Sequence, residues 1–130
     1  MILVDTSVWI EIIRGMIHLT STEYLDFATC GPVLQEVFQG LDDSPERDRF
    51  RRALMSIPRL GDPFPTNTFL EAADIYRQGR QRGYTILSST DCLVAAVAIQ
   101  HDVAVWHRDR DFDYIARFTP LKSLRAPSVH

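Results

Sequence analysis

The chain opens on Met1-Ile-Leu-Val-Asp5-Thr-Ser7, an apolar run that stops at a carboxylate and passes at once into hydroxyls and a helical pattern. An unbroken apolar run of this length suits a strand covered on both faces, as strands of a parallel sheet are. Such a strand carries Asp5 to its carboxyl end, where ligands of open α/β sheets collect. An acid there loses hydration, and that loss costs free energy unless a partner offsets it. The constraint on the rest of the chain is therefore whether other acids reach the same edge.

Taken in order, the chain alternates short apolar runs with helical periods, the pattern of an α/β domain. Thr6 or Ser7 is placed to cap a helix from Val8 to about Arg14, which Gly15 stops. Thr20 to Thr22 read as a further helix start, and Phe27 to Cys30 as a second strand ending at Gly31-Pro32. The helix from Pro32 to about Leu41 turns Val33, Leu34, Val37, Phe38 and Leu41 inward and leaves Glu36 at the rim. Asp42 to Ser44 cap a helix over 46–57, which forms an arm with Phe50, Leu54 and Ile57 facing inward. Prolines 58, 63 and 65 mark a loop in which Arg59 to Gly61 read as a vestigial strand. A long helix from Thr66 or Asn67 to Arg82 follows, with Phe69, Ala72, Ala73 and Tyr76 as its expected stripe and Gly83 as its stop.

Thr85 to Leu87 is extended, and Ser88, Ser89 or Thr90 caps a helix that is apolar all round after Asp91, hence central. Val103 to Trp106 is a covered strand, a short helix holds Phe112 and Ile115, and Leu121 to Leu124 is a final edge strand. Residues 1–130 form one domain with a loose tail over 125–130.

Composition narrows the class. With 130 residues and 45% hydrophobic residues the chain fills a core of ordinary size. An acid interrupts the first apolar run, and no later run is long enough to cross a bilayer, so a cytoplasmic location without membrane contact is expected. Cys30 and Cys92 sit among apolar residues and read as buried, reduced thiols. The net charge of −3 supplies no global attraction for nucleic acid. All the basic residues but Lys122 are arginine, however, and guanidinium forks suit phosphate.

Asp5, Glu36, Asp91 and Asp109 each follow a predicted strand or stand near the head of the next helix. In a parallel sheet these positions share one edge, and four carboxylates brought together repel until protonated or joined by a cation. Oxygen ligands alone, without Cys or His at zinc spacing, favour Mg²⁺ or Mn²⁺. Singly each acid has a plainer reading, Asp91 and Asp109 as helix-terminal groups and Glu36 as a surface acid.

These residues carry a resemblance. Met1-Ile-Leu-Val-Asp5-Thr-Ser7-Val-Trp9-Ile, Val33-Leu-Gln-Glu36-Val-Phe-Gln-Gly40, Thr90-Asp91-Cys-Leu-Val-Ala-Ala96 and Arg108-Asp109-Arg-Asp111-Phe112 stand in the order and spacing of a PIN domain. The chain most resembles the VapC-type toxin ribonucleases of toxin-antitoxin pairs, over nearly its full length. The resemblance implies a three-layer α/β/α sandwich with a mostly parallel central sheet. It implies Mg²⁺ or Mn²⁺ on Asp5, Glu36, Asp91 and Asp109, with Asp111 sharing the role and Thr6 or Ser7 assisting. It also implies an RNA substrate, homodimerisation and an inhibitory antitoxin. His107 stands where many members carry a hydroxyl residue, and it reads as structural in preference to substrate-touching.

The function expected is that of a metal-dependent endoribonuclease. Arg108 and Arg110, with Arg47, Arg51 and Arg52 on the arm, are candidate phosphate contacts. Trp9 is expected to anchor contact with a second copy, with burial in the core as the alternative. An idle module that only binds an antitoxin is a second reading. A haloacid-dehalogenase-like phosphatase is a third, opposed by Ser7, which stands where that family needs a second Asp.

Overall fold

The computed structural model describes residues 1–20, 22–85 and 87–126. It has four parallel strands in the order β2-β1-β3-β4. Strand β1 (Ile2–Val4) lies between β2 (Phe27–Ala28) and β3 (Ala104–His107), and β4 (Ser123–Arg125) closes the far edge. Val4 stands opposite Trp106, and Trp106 opposite Leu124. Six α-helices connect these strands: α1 (Thr6–Ile13), α2 (Gly31–Gln39), α3 (Pro45–Met55), α4 (Thr66–Gln81), α5 (Ser89–Gln100) and α6 (Arg110–Ile115).

Parallel strands require crossovers, and crossovers keep one hand. The step from β1 to β2 runs one way across the sheet and the step from β3 to β4 the other, so α1 and α6 fall on opposite faces. Side chains agree with this. Trp9 of α1 meets Phe27 edge-on at 5.8 Å, and Phe27 meets Trp106, while on the other face His107 packs against Phe112 of α6. Leu3 and Val4 point to opposite faces and are both fully buried, as the layered arrangement demands. The three-layer α/β fold implied by the resemblance is the one observed.

Local signals placed most elements within a residue or two. The vestigial strand is a single parallel bridge between Thr29 and Arg59. Gly83, at φ +86°, ends α4 in the left-handed conformation that glycine adopts without strain. Helix α5 is buried along almost its whole length, and both cysteines are free and buried. No described helix is long and apolar enough to cross a membrane.

Four expectations are corrected. Asp5 itself, not Thr6 or Ser7, caps α1, accepting from the Ser7 N–H. Thr20 and Thr22, the described residues of the second expected helix start, lead only into a 3₁₀ turn over Glu23–Asp26, and residue 21 lies outside the described residues. The buried stripe of α4 is Thr68, Ala72, Ile75 and Gly79, whereas Phe69 is exposed, as is Ala73. The last strand extends to Arg125, and the buried Ala126 donates its N–H to the His107 carbonyl, so the tail does not begin at 125. The expected extended segment over 85–87 includes residue 86, and the rest of the tail is 127–130; these lie outside the described residues.

Trp9 resolves to its core alternative. It is 1% exposed, and besides Phe27 its ring meets Phe50 of α3 at 5.7 Å. It therefore ties the arm to the sheet and is closed to a second copy.

Candidate metal centre

The acids arrive by four routes. Asp5 leaves the end of β1 and is held by its own cap: its Oδ2 accepts from the Ser7 N–H at 3.0 Å and the Ser7 hydroxyl at 2.6 Å. Ser7 Oγ in turn accepts the Arg108 N–H at 2.9 Å, which pins the end of β1 to the residue that follows β3. Asp91 sits in the first turn of α5, whose cap is Ser88. Asp109 caps α6 by accepting from the Asp111 N–H at 2.9 Å. Asp111 accepts the Ser88 N–H at 2.9 Å, so the heads of α5 and α6 are fastened together.

Asp91, Asp109 and Asp111 each place one carboxylate oxygen within 4.8 Å of the others'. Asp5 is outside that group of three, yet its charge acts on Asp91 and that of Asp109 acts on it. Glu36 is half-buried on α2 and joins through Thr6, whose hydroxyl donates to Glu36 Oε1 at 3.3 Å. Both Asp5 and Asp91 are buried.

Burial first, then hydrogen bonding to Asp109 and the charges of Asp109 and Asp5, pushes the Asp91 carboxyl up to about 10. Asp5 is also raised, chiefly by burial, with the Ser7 hydrogen bonds opposing the shift. One oxygen of each, Asp5 Oδ1 and Asp91 Oδ2, is buried without any hydrogen-bond partner. Buried oxygens without a partner are uncommon in native folds. A hard divalent cation would supply the missing partner, because it binds carboxylate oxygens and offsets their mutual repulsion. The donor set, all oxygen at the group, fits such an ion.

A family profile described as the PIN domain matches residues 2–118. The chain belongs to the PIN-domain family. It is 40% identical over 131 residues to the VapC ribonuclease Mb1587 of Mycobacterium bovis and, equally, to the ribonuclease VapC11 of Mycobacterium tuberculosis. Each match covers 95% of this chain and 97% of the relative. Among solved structures, the DNA-bound VapBC of Salmonella typhimurium superposes with a TM-score of 0.71 at 16% identity, over 95% of this chain and 96% of that one. At that identity the likeness speaks for the PIN fold alone.

Within this PIN domain, Asp111, weighed from the sequence as a supplementary acid, stands inside the tight group. The positions of Thr6 and Ser7 beside the acids follow from the helix they open. Arg110 is exposed at the start of α6. The Arg108 guanidinium reaches back to Glu11 of α1 at 3.9 Å. Arg51 is committed to its own arm, donating to Asp48 and to the carbonyls of Leu41 and Asp42, and is withdrawn as a phosphate contact.

His107 has no access to substrate, being fully buried. Ser123 Oγ donates to Asp113 Oδ1 at 3.2 Å, so at 2.6 Å it accepts from His107 Nε2–H. Nδ1 is then the acceptor, and it takes the Asp109 N–H at 3.2 Å. Burial lowers the His107 pKa and keeps the ring neutral, as this pattern requires. Ser88 was read from the sequence as a candidate cap of α5, but the role of its N–H in orienting Asp111 was not, because backbone donors leave no compositional mark.

Proposed function

We propose that the chain is a metal-dependent endoribonuclease and the toxin of a toxin-antitoxin pair, acting in the cytoplasm. The observation that carries the reading is the pair of buried, unpartnered oxygens, Asp5 Oδ1 and Asp91 Oδ2, beside Asp109 and Asp111. The ribonuclease names of the 40%-identical relatives point to RNA as the substrate. Asp5, Asp91, Asp109 and Asp111 would hold Mg²⁺ or Mn²⁺, with Glu36 contributing directly or through a water. Bound there, the ion would lower the pKa of an attacking water and neutralise charge developing on the phosphodiester.

The chain's own residues hold the geometry. Ser7 fixes Asp5, the Ser88 N–H fixes Asp111, and His107 fixes the backbone at Asp109. Thr6 occupies one oxygen of Glu36 and leaves the other to order a water. Arg110, exposed at the start of α6, and Arg108 would be the contacts to substrate phosphates. In-line attack would expel the 3′-oxygen and leave a 5′-phosphate. The test is cleavage of single-stranded RNA with Mg²⁺ or Mn²⁺ and with EDTA. Cleavage that stops in EDTA and returns with metal is expected; activity undiminished by EDTA refutes the metal role, and inertness under every condition leaves the idle antitoxin-binding module.

An antitoxin partner is supported by VapBC complexes among the structural neighbours. A homodimer is proposed as well, on a different surface from the one the sequence suggested. Phe69 and Leu70 of α4 are 51% and 63% exposed, and the face beside Phe69 is continued by Ala73. Exposed apolar residues grouped in this way mark interfaces more often than scattered ones do. Sedimentation at micromolar concentration is expected to show a dimer that Phe69→Glu dissociates. A wild-type protein that sediments as a monomer overturns the proposal.

A further inference from the structure

Beyond the acids, one face of α6 continues into a ladder of alternating charge and aromatic surface. Asp111 and Tyr114 stand three residues apart on one face of α6, and Phe118 follows in the turn after the helix. The Tyr84 ring stacks on Tyr114 at 4.6 Å and 11°, and faces Phe118 at 6.1 Å and 16°. Arg117 lies over Tyr114 at 5.1 Å, and Arg82 lies over Phe118 at 5.0 Å. The Arg117 guanidinium also donates to the Tyr84 hydroxyl. Two guanidinium groups are thus held at a stack of three rings, and the stack begins one turn from Asp111.

Both arginines are exposed, and neither pairs with an acid within 4 Å among the described residues. The nearby Asp113 is already taken by Arg125 at 2.6 Å. Arg82 donates only to the Gln78 carbonyl and Arg117 only to Tyr84, so each keeps most of its five N–H donors for another acceptor. Arg110, exposed and likewise without an acid partner among the described residues, precedes Arg117 by seven residues. In a chain of net charge −3, three arginines without an acid partner among the described residues, at the head of α6 and at the stack that follows it, are a local exception to the charge balance.

We infer that Arg110, Arg117 and Arg82, the last two held on the Tyr114–Tyr84–Phe118 stack, form a track for the phosphates of single-stranded RNA leading to the acid group. This rests on the nuclease reading for its direction and its ligand. The stack fixes each guanidinium plane before the strand arrives, and a planar fork so held meets phosphate oxygens with less loss of rotamer freedom than a free side chain. Phosphate contacts carry no base preference, so the track serves affinity and register and leaves choice of sequence to other residues.

The test measures binding of a fluorescein-labelled single-stranded RNA by anisotropy, in EDTA so that metal-dependent cleavage is off, across a range of NaCl concentrations. Each single-strand phosphate contact contributes about 0.7 to the slope of log affinity against log salt. Arg82→Gln with Arg117→Gln is expected to reduce that slope by about 1.4, and Arg110→Gln by about 0.7. Arg82→Lys with Arg117→Lys, which keeps both charges, is expected to retain the wild-type slope. Mn²⁺ binding measured by calorimetry on the same variants reports whether the acid group is intact. If the glutamine pair does not fold, Arg110→Gln and the lysine pair carry the test. An unchanged slope in the glutamine variants, or a wild type that does not bind RNA, overturns the track. Failure of the nuclease reading is a separate result, seen as RNA binding by a protein that never cleaves.

Discussion

Asp91→Asn is expected to raise the melting temperature of the metal-free protein and to reduce metal-dependent RNA cleavage by two or more orders of magnitude. The two effects have one cause. Asp91 is buried against Asp109, Asp111 and Asp5, and its carboxyl is pushed up to about 10. A folded-state pKa above the unfolded value means that the native state holds a proton which the unfolded chain releases. The stability tied to that proton is complete below about pH 4 and is lost steadily as pH rises toward 10. At neutral pH the metal-free wild type therefore lies well down that slope. Asn cannot ionise, so the variant is spared this loss, and a gain on the order of 5 °C at pH 7 to 8 is expected.

Ser88, not Asp91, caps α5, so the substitution leaves the helix start alone. With metal the order reverses: the wild type is stabilised by its ligand and the variant much less. Melting scans at pH 5 and pH 8, with and without Mn²⁺, beside cleavage assays, read all of this. A variant that cuts like wild type refutes the catalytic role. A metal-free wild type as stable at pH 8 as at pH 5 refutes the electrostatic origin of the gain.

Trp9→Ala is expected to cost about 3–5 kcal/mol, a large share of the stability of a domain this size. The ring is 1% exposed and touches Phe27 on the sheet and Phe50 on the arm, so its loss opens a cavity where three elements meet. Trp9→Phe separates packing from polarity. The indole Nε1–H is buried without an acceptor, a state that itself costs free energy, and Phe discards it while keeping an aromatic ring. Phe is therefore expected to lose far less than Ala in urea unfolding. Equal losses for the two refute the packing role, and a negligible loss for Ala refutes burial.

What the sequence disclosed and what it hid divide along physical lines. Asp5 was legible because an apolar strand that stops at an acid buries a charge, and a buried charge requires a partner. Asp91 was legible because it heads a helix too apolar to lie anywhere but the centre. Helix α4 was misread because two stripes one residue apart satisfy the same period. The structure buries Thr68 and Gly79 in close contact with neighbouring elements and turns Phe69 out toward Phe64. Periodicity ranks faces by hydrophobicity, whereas close packing also selects for small size. Trp9 was ambiguous for a related reason, since its arm-side partner Phe50 lies 41 positions along the chain and no local window contains both. The Arg-aromatic stack was invisible because its rings come from two segments about thirty residues apart.

The hydrogen bond from the Arg108 N–H to Ser7 Oγ spans 101 positions of sequence, and β1 completes its pairing only when β3 is present. On a ribosome adding about 5–20 residues each second, Asp5 emerges many seconds before Asp109 and Asp111 do. For that interval the first strand has neither its neighbour nor its fellow acids, and a nascent chain carries no assembled acid group. Assembly of the acid group is thus deferred by topology: the first of these carboxylates to be made waits for the last.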